Sequence, residues 1–214
     1  MRRSTTFNQN EIKELTEELN GIAIRIRTVN RQLTNAIRRI QRMAIKDDLT
    51  GLYNRRYAIE QLNQHWAEAK RYNHTFSCVM TDVDDFKAIN DKYGHLEGDS
   101  VLVRLGRSLS EITRESDIVC RFGGDEFMVL LPDQSEESAA AFAFRCRESL
   151  KDRLSVGGEN QLCPTISFGV AGMTPEMVKP LELIDAADRA LYVAKQSGKN
   201  KIIRNSECYH NTKA

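Results

Sequence analysis

The sequence predicts an α+β fold: a ferredoxin-like central sheet containing antiparallel strands, flanked by helices and preceded by one long coiled-coil helix. Three observations carry this. Apolar residues recur at alternating intervals of three and four from Ile12 to Met43. Beyond residue 47, β-prone runs and amphipathic stretches follow in the order β-α-β-β-α-β. The two middle runs are joined through Gly123-Gly124, a hairpin turn chemistry that tolerates positive φ. A chain of 214 residues with 41% hydrophobic content has room for one such domain and an appendage.

The N-terminal seam runs through Ile12, Leu15, Leu19, Ile22, Ile26, Val29, Leu33, Ala36, Ile40 and Met43. A pattern this long, with few apolar residues elsewhere, describes a parallel two-stranded coil and hence a homodimer. Asn20-Gly21 is a weak point in it, and Ile37 beside Ala36 opens a second seam through Leu33, Ile37, Ile40 and Ala44. Two available registers would let the coil pass a signal by switching between them. The expected division is a dimerisation and signalling helix at 1–46, a globular domain at 47–205 and a flexible tail at 206–214.

Asp47 to Arg56 is a turn-rich junction, and an amphipathic helix from Tyr57 to Arg71 follows. A buried-type strand, Phe76 to Thr81, delivers Asp82, Asp84 and Asp85 at its end. Strand alternation turns Asp82 and Asp84 to one side, where two carboxylates, or one carboxylate and the intervening carbonyl, reach a shared cation. Phe86 to Asp99 then gathers Lys87, Asn90, His95 and Asp99 in a short helix and glycine turn. Guanine presents an N1–H and an exocyclic amine on one edge; a carboxylate such as Asp99 accepts from both, and an amide such as Asn90 donates and accepts.

A helix from Leu96 to Ile112 leads to the hairpin strands, Ile118 to Cys120 and Phe127 to Leu131, with Pro132 and Asp133 stopping the second. Asp125 and Glu126 directly follow the glycines. The hairpin therefore carries acid at its tip, able to hold a hard cation against a phosphate that approaches the glycine backbone. A helix from Ser135 to Leu150, a strand from Thr165 to Ala171, a helix from Leu181 to Gln196 and a strand from Lys201 to Arg204 complete the domain. With helices on one face of a single sheet, the Asp82 strand and the hairpin are neighbours and their carboxylates meet at one metal site.

Net charge is +1, but residues 1–46 hold ten Lys/Arg against four Asp/Glu, leaving 21 and 26 in the rest. The arginines are spread along the helical pattern rather than clustered, which describes a solvated face and not a DNA or RNA surface. Cys78, Cys120, Cys146, Cys163 and Cys208 are far apart without Cys-x-x-Cys or a metal-ligand histidine spacing. They read as reduced thiols of a cytoplasmic protein. No signal-peptide core follows Met1-Arg2-Arg3, and no apolar run is long enough to span a membrane.

Three blocks together resemble the GGDEF-domain diguanylate cyclases of bacterial signalling: Asp-x-Leu-Thr-x-Leu-x-Asn-Arg-Arg ending at Arg56, the stretch Asp82 to Asp99, and Gly123 to Phe127. The resemblance covers about residues 47 to 205 and implies a palm-type ferredoxin-like domain. It implies the condensation of two GTP into cyclic di-GMP with release of two pyrophosphates, one GTP per subunit of a homodimer. By position, Asp82, the carbonyl of Val83, Asp125 and Glu126 are implied ligands of Mg²⁺ or Mn²⁺, two ions per half-site. Asp125, Glu126 and Lys87 are the implied catalytic residues, with Asp125 as proton acceptor from the attacking 3'-hydroxyl or the hydroxyl activated by metal instead. Phe86, Lys87, Asn90, His95, Asp99, Gly123 and Gly124 are implied contacts of the nucleotide.

Lys195 and Lys199 match cations for the terminal phosphate, Lys199 standing where many relatives have arginine, which keeps charge but gives up bidentate geometry. Arg114, Asp117 and Arg145 match a product-inhibition site for cyclic di-GMP. The alternative is a catalytically inactive module that binds GTP or cyclic di-GMP; here every acid and glycine of the signature is present.

Overall fold

The computed structural model describes residues 9–151, 153–154, 156 and 163–208, with the side chains of 9–11 and 35–44 outside that description. Two compact units result, Met1–Ala44 and Ile45–Ala214.

The first unit is carried by helix α1, Gln9–Ile45. It runs through Asn20-Gly21 without interruption, so the glycine costs helix propensity and does not break the chain. Ile12, Leu15, Leu19, Ile22, Ile26, Val29 and Leu33 form an apolar stripe with about half of each side chain exposed. Ala36 and Met43 of the first seam, and Ile37, Ile40 and Ala44 of the second, have side chains outside the described residues.

In the second unit the elements follow as β1 (Tyr53–Asn54), α2 (Arg55–Tyr72), β2 (Phe76–Val83), α3 (Phe86–Tyr93), α4 (His95–Ile112), β3 (Ile118–Arg121), β4 (Glu126–Pro132), α5 (Glu136–Leu150), β5 (Ile166–Gly172), α6 (Leu181–Gln196), β6 (Ile202–Arg204) and α7 (Asn205–Cys208). The six-stranded sheet has the order β1-β3-β4-β2-β5-β6. Its middle four strands, all antiparallel to their neighbours, are the ferredoxin-like unit; β1 and β6 add parallel edges.

Helices cover both faces, not one. Leu102, Leu105 and Leu109 of α4 and Phe142 and Cys146 of α5 pack with Val79, Val129 and Phe168 on one side. Leu62 and Trp66 of α2 and Leu183 and Leu191 of α6 pack with Cys78, Met80 and Met128 on the other. Central β2 is consequently buried at all eight positions, the polar Ser77, Thr81 and Asp82 included.

Local chemistry fixes the ends. Asn54 caps α2 by accepting from Tyr57 N at 3.0 Å, and Ser135 caps α5 by accepting from Ser138 N. Part of the segment expected as a tail is built in: α7 covers Asn205–Cys208, and Ser206 donates through its backbone and hydroxyl to the Glu136 carboxylate. Residues 209–214 lie outside the described residues. None of the cysteines forms a disulfide among the described residues, and burial pushes the Cys120 and Cys146 thiols up to about 12. No described helix is long and apolar enough to cross a membrane.

Candidate active site

The ladder between β2 and β4 places Asp82 directly opposite Glu126, and the ladder between β2 and β5 places Ser167 on its other side. Cys78, Met80 and Asp82 alternate onto the α6 side of the sheet, which is why Lys195 in the last turn of α6 reaches Asp82 Oδ2 at 2.5 Å. The other oxygen, Oδ1, is buried and accepts no hydrogen bond. Burial drives the Asp82 carboxyl up to about 6; Lys195 opposes this, and the nearby acids Asp125 and Glu126 add to it. An orphaned buried oxygen beside two further carboxylates fits a divalent cation, since desolvation and like charge are both relieved by one. Among the described residues no group of three or more His, Cys, Asp or Glu is already drawn together as a metal cage.

The turn between β3 and β4 does not use positive φ at either glycine, contrary to the expectation from hairpin chemistry. Its glycines serve space instead. A Cβ on Gly123 would strike the Glu126 carboxylate, which folds back over that residue, and a Cβ on Gly124 would project into open space. Phe122 N and Gly123 N both donate to the Glu126 carbonyl. Arg121 closes the turn from outside: Nε and Nη2 donate to the Gly124 carbonyl at 3.0 and 2.7 Å, and Nη1 reaches both Asp47 oxygens at 3.3 Å. Asp47 in turn accepts from Thr50 N and Thr50 Oγ1, so the junction and the glycine turn share one guanidinium. That role of Arg121 was not legible, since only the β1–β3 pairing brings its partner alongside.

The Asp84 carboxylate is taken up by other partners than Asp82. It is 3% exposed and saturated by Thr165, Ser167 and Asn200. Asp85 has φ 55 and pairs with Lys199 Nζ at 2.6 Å. Val83 ends β2 with its side chain in the core.

Phe86, Asn90 and Gly98 converge: a Cβ on Gly98 would strike the Asn90 amide and touch the Phe86 ring, so α3 and α4 meet closely only because that residue is glycine. Gly94, with φ 86, ends α3 by donating to the Asn90 carbonyl and begins α4, whose first turn carries exposed His95 and half-buried Asp99. Lys87 is exposed in the first turn of α3.

Of the other residues, Arg114 and Asp117 form a closed turn. Arg114 N donates to Asp117 Oδ2 at 2.8 Å, and Gln134 Nε2 donates to Oδ1 at 3.3 Å. Both Asp117 oxygens are thus occupied, while the Arg114 side chain is exposed. Arg145 is exposed on α5 with its guanidinium 6.0 Å from the Phe142 ring centre. Among the described residues no hydrogen bond or ion pair joins Arg145 to Arg114 or Asp117.

The model of the family described as "Diguanylate cyclase, GGDEF domain" matches residues 44–201. The chain belongs to the GGDEF family. A probable diguanylate cyclase, DgcC of Escherichia coli, is 40% identical over 164 residues, covering 77% of this chain and 44% of its own length. The response regulator PleD of Caulobacter vibrioides is 38% identical over 167 residues, covering 75% of this chain and 36% of its own. The chain thus spans less than half the length of these relatives.

Among solved structures, the coiled coil and GGDEF domain of DgcB from Caulobacter crescentus, in complex with c-di-GMP, superimposes with a TM-score of 0.78 at 25% identity, covering 87% of this chain and 98% of that one. The diguanylate cyclase SiaD of Pseudomonas aeruginosa, in complex with its activator SiaC, gives 0.71 at 34% identity, covering 91% and 73%. The first of these shares the long helix as well as the GGDEF domain.

Proposed function

We propose that this GGDEF protein is a diguanylate cyclase that condenses two GTP into cyclic di-GMP as a homodimer, each subunit presenting one GTP to the other. The observation that supports it most is the Asp82 centre: one orphaned buried oxygen, Glu126 across the strand ladder with Asp125 next to it, and a lysine poised on the remaining oxygen. Asp82, the Val83 carbonyl, Asp125 and Glu126 would hold Mg²⁺ or Mn²⁺. When bound, such an ion supplies positive charge against the α-phosphate and the departing pyrophosphate.

The remaining chemistry is positioning and charge. Asn90 and Asp99 read the guanine edge, with His95 and Phe86 beside them. Gly123 and Gly124 let the phosphates approach the turn, as the open space above Gly124 allows. Lys195 and Lys199, each paired with a carboxylate, exchange that partner for the terminal phosphate and remain neutralised. Exposed Lys87 offers a cation for charge developing at the reacting phosphate. The 3'-hydroxyl oxygen of one GTP bonds to the α-phosphorus of the other, its proton passes to Asp125, and the α–β phosphoanhydride bond breaks to release pyrophosphate. Repetition in the opposite sense closes the ring.

The exposed stripe on α1 supplies the dimer contact. Arg114 and Arg145 are the side chains available for product feedback, with Asp117 shaping the Arg114 turn. Incubating the full chain with GTP and Mg²⁺ and resolving the nucleotides tests the reading; Asp125→Ala should yield no cyclic di-GMP while remaining folded, and wild-type turnover in that variant would refute the assignment.

A further inference from the structure

The geometry assigns Asp84 as a positioning residue: by gripping the Gly198 to Asn200 turn it sets Lys199 where the terminal phosphates of the nucleotide must be met. This rests on the reading of the site as a GTP site. Asp84 stands immediately after β2 and is 3% exposed. Its Oδ1 accepts from Ser167 Oγ at 2.7 Å, and Oδ2 accepts from Thr165 Oγ1 at 2.7 Å and Asn200 N at 2.9 Å. Its own N–H donates to the Thr165 carbonyl at 2.9 Å. One buried side chain therefore ties the end of β2, the entrance of β5 and the turn before β6.

That turn needs tying. Gly198, Lys199 and Asn200 have φ of 113, 59 and 48, three successive residues in a region that side-chain-bearing residues rarely adopt. Such a conformation persists only when its surroundings over-determine it. The Asn200 residue is gripped on both sides, its N–H by Asp84 and its carbonyl by Arg147 Nη1 at 3.3 Å, while Lys199 N donates to the Ala194 carbonyl at 3.1 Å. The result is that the Lys199 ammonium lies against Asp85, two residues past the end of β2. Released from Asp84, the turn relaxes and carries Lys199 away from the phosphates. The guanine side, on α3 and α4, is untouched. The deficit therefore falls on the triphosphate and spares the base, whereas a merely structural carboxylate would affect both.

The test titrates the full chain, with Mg²⁺, against a non-hydrolysable GTP analogue and against GMP. Asp84→Ala should weaken analogue binding roughly tenfold and leave GMP binding within about twofold, in line with loss of one charge-assisted contact. Asp84→Asn keeps an amide oxygen for the Asn200 N–H and should recover most of that loss. Arg147→Ala removes a guanidinium that is about a quarter exposed, and should show the same selectivity with a smaller factor even if Asp84→Ala does not fold. Parallel loss for both nucleotides, or unchanged analogue binding in every variant, overturns the assignment of Asp84 alone. Wild-type protein that binds neither nucleotide overturns the GTP reading and this inference with it.

Discussion

Asp82 is asked to be charged where the fold prefers it neutral. Its folded carboxyl titrates at about 6, against 3.8 for the ordinary group, with burial as the leading cause. Between those values the folded protein binds the extra proton, so this residue costs stability as pH rises from about 4 to about 6, and the cost is complete above that. In divalent-free urea titrations, Asp82→Asn should therefore gain stability relative to wild type across this interval while losing turnover. A difference that stays flat with pH would contradict the burial argument. Gly123→Ala makes a separate demand: the added Cβ meets the Glu126 carboxylate and must displace it. Turnover should fall at least about tenfold, while the unfolding free energy in urea changes by no more than about 1 kcal/mol, because the displaced group is a flexible side chain. Full turnover in that variant would remove Glu126 from the site.

Among the elements, α6 matters most for the site because it carries Lys195 and packs directly on β5. Gly169 makes that contact: a Cβ there would fall on the Ala187 carbonyl and the Leu191 backbone, groups that cannot swing away. Gly169→Ala should destabilise the domain by about 3 kcal/mol in denaturant unfolding and separate Lys195 from Asp82. Stability within about 0.5 kcal/mol of wild type would show that α6 has slack to move.

The long helices and the central strands were legible because each has enough length for its apolar period to show. The two-residue strand β1 and the turn α7 were not, since neither has a period of its own; β1 is a strand only because β3 pairs with it. The ferredoxin-like strand order correctly made the Asp82 strand a neighbour of the hairpin. It could not reveal the fate of Asp84, whose partners lie 81 to 116 residues away and arrive through β5 and the turn before β6. Turn chemistry pointed to positive φ at the glycine pair, whereas neither glycine adopts it and it is the Glu126 side chain that leaves no room for a Cβ at Gly123.

At the scale of the whole molecule, the proposed reaction needs two copies of the chain. A single domain offers one acidic centre and one set of lysines, while cyclic di-GMP requires two GTP held face to face. In the proposed dimer the exposed apolar stripe of α1 is the contact between copies, so Leu19→Glu with Ile22→Glu should shift the chain to monomer in sedimentation and lower turnover per subunit at micromolar protein. The most direct measurement is chromatographic: the full chain is incubated with GTP and Mg²⁺ over a wide range of protein concentration, and nucleotides are resolved with time. Cyclic di-GMP and pyrophosphate should appear, at a rate per subunit that climbs with concentration to a plateau. Folded protein that yields no cyclic di-GMP at any concentration, or a rate per subunit independent of concentration down to the monomer, would contradict the proposed reaction.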